Sequence, residues 1–88
     1  MELKDTIEQM TSPDYKERFK AEYAQLKIRT ERLGDFIGRI FYAQAKGTEE
    51  PKHDCPLTLL QLQHDRMCNY MDLLEKRAFI EHIDLSEV

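Results

Sequence analysis

Arg29, Arg32, Phe36 and Arg39 recur at steps of three and four. That spacing gathers side chains on one flank of a helix. Guanidinium groups bind phosphate in bidentate fashion, and an aromatic ring beside them can stack a base. With Arg18 on the same flank, these residues are a candidate site for an anion or a nucleotide. Two other readings stand beside it. The flank could be solvated and paired with acidic residues of the second helix, or it could meet an acidic protein partner.

His53, Cys55, His64 and Cys68 have the ligand chemistry of zinc, and His64 and Cys68 share a helix face at i,i+4. Spacing argues against a single site. Cys55 and His64 would be separated by about 13 Å of helical rise. Zinc ligands must all stand about 2 Å from the metal. Only a symmetric site shared between subunits would gather them, so no metal is expected. Cys68 fits a small core or interface residue, and His64 a polar group between helices.

Catalytic signatures are not found. There is no Ser/His/Asp arrangement, no Gly-rich phosphate loop and no H-E-x-x-H pattern. Glu75, Glu81 and His82 fall late in a helix, where acids are ordinarily solvated. The expectation is a non-enzymatic protein that uses no cofactor.

Gly34 and Gly38 form G-x-x-x-G in mid-helix. Each costs about 1 kcal/mol against Ala there. Two glycines on one face let another backbone come close. The alternatives are a bend in an over-long helix or a ligand against bare backbone.

The elements that must hold these residues are marked by punctuation. Ser12-Pro13 opens a helical pattern, with Ser12 as expected N-cap, and Gly47-Thr48-Glu49-Glu50-Pro51 closes it. Cys55-Pro56 opens a second pattern. The spacing predicts a lead-in over residues 1–12, a helix over 13–46, a loop over 47–55, a helix over 56–82 and a tail over 83–88. The fold class is therefore all-α, a long antiparallel helical hairpin in one domain. Leu3, Ile7 and Met10 give the lead-in an amphipathic helical spacing.

The first long helix carries Tyr15, Phe19, Tyr23, Leu26, Leu33, Ile37, Ile40 and Phe41 on one face, with Thr30 and Gln44 in line. Asp35 and Arg39 stand in the favoured i,i+4 order for an exposed pair. At about 50 Å long, this helix must project, bend or pack against other chains. The second helix carries a main stripe of Leu57, Leu60, His64, Met67, Met71, Leu74 and Ala78. A second stripe lies about a third of a turn away: Leu59, Leu62, Tyr70, Leu73 and Ile80. One partner helix cannot cover both. Either the lead-in and the Ile83-Asp84-Leu85 tail fold over the second stripe, or copies of the chain do. We expect a homo-oligomer, with Gly34, Gly38, Phe41, Leu59, Leu62, Tyr70 and Leu73 at its interface.

Composition agrees with a charged helical protein. The chain has 88 residues, too few to bury a large core, and 34% of them are charged. Its two cysteines do not suggest a disulfide framework, which favours a reduced, cytoplasmic location. No apolar run is long enough to span a bilayer, and Met1-Glu2-Leu3-Lys4-Asp5 does not begin a signal peptide. No membrane contact is expected. The net charge of −4 argues against general nucleic-acid binding. It is unevenly spread: residues 13–46 hold eight basic and five acidic residues, and the remainder hold five basic and twelve acidic. A cationic first helix could dock on the acidic rest of the chain or face an anionic ligand.

Several segments carry a resemblance. They are Tyr15-Lys16-Glu17-Arg18-Phe19-Lys20-Ala21-Glu22-Tyr23-Ala24-Gln25-Leu26, Arg32-Leu33-Gly34-Asp35-Phe36-Ile37 and Cys55-Pro56-Leu57-Thr58-Leu59-Leu60. Met67, Tyr70, Leu74-Glu75-Lys76-Arg77-Ala78 and Ile80-Glu81 follow. Together the chain resembles a family of small helical proteins of tailed phages and prophages, crAss-like phages included, over roughly residues 13–85. The resemblance implies a phage accessory protein acting by binding in the host cytoplasm, with no catalytic residues to carry over. Such a protein would counter a host defence. It would soak up a cyclic nucleotide signal as an oligomeric sponge, or block a defence protein in the manner of an anti-CRISPR. The alternative is a structural or adaptor module with no such role.

Overall fold

The computed structural model describes residues 2–86 and 88. Among these residues the regular structure is entirely helical. A 3-10 turn, Leu3–Thr6, runs into a short helix α1, Ile7–Met10. The two long helices are α2, Tyr15–Lys46, and α3, Leu57–Glu81. They pack against one another as the expected hairpin. Position 1 of the expected lead-in and position 87 of the expected tail lie outside the described residues.

The helix ends differ from expectation in instructive ways. Asp14, not Ser12, caps α2: its carboxylate accepts the Lys16 N–H at 3.0 Å. Ser12 instead accepts the Asp14 N–H through its side chain at 3.1 Å, so Pro13 lies in the approach rather than in the helix. A carboxylate at the N-cap also complements the helix dipole. At the other end Gly47 takes φ +70, and the Thr48 N–H reaches the Ala43 carbonyl at 2.9 Å. This is the left-handed cap that glycine adopts without strain. Pro56 is the N-cap of α3 rather than its first residue, and His82 closes α3 in the left-handed conformation, φ 57. The Ile83 N–H then returns to Ala78 at 2.8 Å, which turns the tail back onto the hairpin.

The main apolar stripes meet as their spacing requires. Phe19, Tyr23, Leu74, Ala78 and Ile83 form the core cluster, with Leu26, Met71, Leu85 and Val88 packed on it. This cluster sits at the open end of the hairpin, where the tail closes it, and Ile37, Ile40 and Ala43 are buried toward the loop end. Thr30 lies buried in the α2 stripe because its hydroxyl donates to the Leu26 carbonyl at 2.6 Å. Tyr15, Phe41 and Gln44 were expected on this stripe but are exposed. Ala21, Ala24 and Ala43 are buried instead. The molecule is 49 Å along its longest axis, so α2 projects the full length of the protein.

The lead-in does not cover the second stripe of α3. It packs against α2. The tail covers the main stripe at Phe19 and Leu74. Tyr70, Leu62, Leu59, Leu73 and Ile80 are therefore left between 45% and 73% exposed.

Candidate functional site

Three cross-hairpin contacts set the register of α2 against α3. The Tyr23 hydroxyl donates to Glu75 at 2.7 Å. The Tyr70 hydroxyl donates to Glu22. The Arg77 guanidinium lies 4.9 Å from the centre of the Phe19 ring and is held there by Glu81 at 2.8 Å. Burial, and then the bond to Glu75, push the Tyr23 phenol up to about 12. The bond to Glu22 raises the Tyr70 phenol, with burial adding to it. In both cases the carboxylate favours a phenol that keeps its proton.

The Tyr70–Glu22 bond has a geometric consequence. Glu22 and Arg29 are seven residues apart, so they share a side of α2. Tyr70 belongs to the uncovered stripe of α3. The arginine flank of α2 and the apolar stripe of α3 therefore border the same seam of the hairpin. Arg66 joins them there, since it falls between Leu62 and Tyr70 at helical spacing and is exposed.

The arginine flank is only partly free. Arg29 is exposed. Arg32 lies 3.4 Å from the Glu2 carboxylate, an exposed pair. Its partner is therefore in the lead-in rather than in α3. Arg18 donates to the Ser12 carbonyl at 2.7 Å. Arg39 does not form the expected pair with Asp35 among the described residues; its guanidinium lies 5.8 Å from the Phe36 ring centre. Phe36 is half-buried. The His53 ring meets its edge at 6.4 Å, so the loop folds back along α2. The four residues thus stay on one flank, with Phe36 as a platform already partly covered.

Gly34 and Gly38 have different surroundings. A Cβ at Gly34 would stand 2.9 Å from His64 Nε2, so close packing is realised there, against α3 of the same chain. Nothing comes within 4 Å of a Cβ at Gly38. Phe41 is exposed. His53 Nδ1 bonds the Cys55 carbonyl at 2.8 Å. His64 Nδ1 lies 3.8 Å from the Cys68 sulfur. The two pairs are not joined, and no group of three or more His, Cys, Asp or Glu is placed to hold a metal among the described residues.

Concavities lie away from the arginines. A cavity of about 220 Å³ between α2 and the tail is lined by Ala24, Lys27, Ile28, Glu31 and Val88. That is below the usual size of a small-molecule site, about 300–1,000 Å³. An open groove on α3 is lined by Asp72, Glu75, Lys76, Phe79 and Ile80, and its two carboxylates disfavour an anion. Enclosing a ligand on the arginine flank would thus take a surface from outside the single chain.

Sequence reasoning missed the lead-in's role. Thr6 and Gln9 dock it on Gln25 and Glu17 of α2, and none of these residues carries a hydrophobic period. The acidic Glu2 opposite a cationic flank was the one signal available.

A family model described as Sequestin matches residues 13–80, which is 68 of the 88 residues. Neither the curated proteins nor the solved structures give a match. No helix among the described residues is long and apolar enough to cross a membrane.

Proposed function

We propose that this chain, which belongs to the Sequestin family, is a non-enzymatic binding protein that sequesters an anionic signal. The signal class is a cyclic nucleotide, and the setting is a phage countering a host defence in the host cytoplasm. The observation that carries the reading is the uncovered stripe of α3 beside the arginine flank of α2. Leu59, Leu62, Tyr70, Leu73 and Ile80 are apolar, aligned and exposed. A second copy docked on them would bury the exposed half or so of each side chain, worth about 1–2 kcal/mol each. It would also wall the seam where Arg29 and Arg66 stand. Guanidinium groups would then take the phosphates in a space shielded from water, where such bonds are strongest.

Binding without chemistry suits these residues. The exposed arginines offer charge and donors. The seam carboxylates Glu22 and Glu81 hold Tyr70 and Arg77 in place. An assembly that holds the signal lowers its free concentration, which is all a sponge requires.

Thermal unfolding with a panel of cyclic di- and trinucleotides tests the reading. A ligand at a hundred times its Kd stabilises the native state by about 2.7 kcal/mol. At least one nucleotide should raise Tm by several degrees. If none does, the sequestration reading fails, and the apolar stripe is better assigned to a defence protein or another protein partner.

A further inference from the structure

Residues 2–12 do more than lead into α2. They lie back along its arginine flank and are seated there by polar groups. Thr6 is the one buried residue of the segment among those described. Its hydroxyl donates to the Leu3 carbonyl at 2.7 Å and accepts the Gln25 amide at 2.9 Å. The same amide reaches the Met10 sulfur. Gln9 donates to Glu17 at 3.1 Å. Meanwhile Ile7 and Met10 are 60% and 47% exposed, so apolar burial contributes little to the seat. Neutral hydrogen bonds and exposed ion pairs exchange readily with water.

The segment engages two arginines of the flank: Arg18 through the Ser12 carbonyl and Arg32 through the Glu2 carboxylate. A carboxylate on a guanidinium occupies the place a phosphate oxygen would take. We propose that residues 2–12 form a displaceable strap in which Glu2 is a built-in competitor for the anionic ligand at Arg32. This inference rests on the anion-binding reading above and adds its regulation. The closed strap lowers the apparent affinity by the fraction of chains in which Arg32 is occupied. Ligand binding releases Glu2, and with it the weakly seated segment.

Calorimetric titration with cyclic di-AMP tests this on the full chain. Glu2→Gln should tighten Kd by about two- to five-fold, the range set by an exposed ion pair. Asp65→Asn makes the same charge change on α3 and should leave Kd as it is. In an Arg32→Ala background the gain from Glu2→Gln should vanish. Thr6→Val keeps the shape of the buried residue but removes both hydroxyl bonds. It should also tighten binding, and should speed hydrogen exchange in residues 3–11 while leaving α3 protected. Equal Kd values for wild type and Glu2→Gln would overturn the strap and leave the sequestration reading standing, as would equal tightening by Asp65→Asn. No binding of cyclic di-AMP, or of any other nucleotide of the panel, by wild type or any variant would overturn both.

Discussion

Gly34 of α2 and His64 of α3 meet so closely that a Cβ at position 34 would stand 2.9 Å from His64 Nε2, whereas one at position 38 would touch nothing within 4 Å. Two glycines four residues apart therefore do different things. Gly38→Ala should stabilise the protein by about 1 kcal/mol, the helix-propensity difference, and raise Tm by about 4–8 °C. Gly34→Ala must displace the imidazole and should gain less. In a His64→Ala background, adding Gly34→Ala should show the missing gain in a melting experiment. A Gly38→Ala protein that instead loses assembly mass would place position 38 in a contact between copies.

The hairpin was legible because its signals are local and strong. Gly47, Pro51 and Pro56 mark chain reversal through backbone geometry alone, and the α3 main stripe from Leu57 to Ala78 is buried or half-buried along its whole length. The caps were less legible. Ser12, Pro13 and Asp14 are all good helix-start residues, and only the Asp14–Lys16 bond decides between them. The His82 cap was hidden because glycine is the usual signal for a left-handed C-terminus. The lead-in's place on α2 was hidden for a different reason. Its seating hydrogen bonds are polar, so they leave no period in the hydrophobic pattern. At the site, helical spacing put the four residues on one flank, but the partners of Arg32 and Arg39 depend on segments that fold back from elsewhere.

Tyr23 should make stability fall at alkaline pH. Its phenol rises from an ordinary 10.0 to about 12 in the folded protein. The native state thus holds the proton more tightly than the unfolded chain. The stabilisation is fully present below pH 10 and is lost as pH climbs from 10 through 12. Between about pH 9 and pH 11.5 the unfolding free energy should drop by about 2 kcal/mol from this group. Tyr23→Phe should remove that part of the drop in urea titrations. It should also remove the highest step from the tyrosinate absorbance curve.

If copies assemble through the uncovered stripe of α3 as proposed, substitutions there should separate assembly from folding. Leu62→Glu and Leu73→Glu change residues outside the core, so circular dichroism should be unchanged while light scattering falls toward the 10.5 kDa of a single chain. Leu74→Ala, one position from Leu73 but only 2% exposed, should behave oppositely. It should cost about 2–5 kcal/mol and lower the melting temperature sharply. An unchanged mass in both glutamate variants would remove the stripe from the interface.

Charge reversal tests the arginine flank. Arg32→Glu with Arg39→Glu should abolish nucleotide binding while leaving helicity intact, because both side chains are exposed. Loss of helicity instead would mean that the Glu2–Arg32 and Phe36–Arg39 contacts serve the fold rather than a ligand.

Native mass spectrometry with cyclic di-AMP bears most directly on sequestration by an assembly of hairpins. The account predicts a multiple of the 10.5 kDa chain that carries nucleotide in fixed proportion to its copies. Single chains without nucleotide, at concentrations where the hairpin is folded, would contradict it.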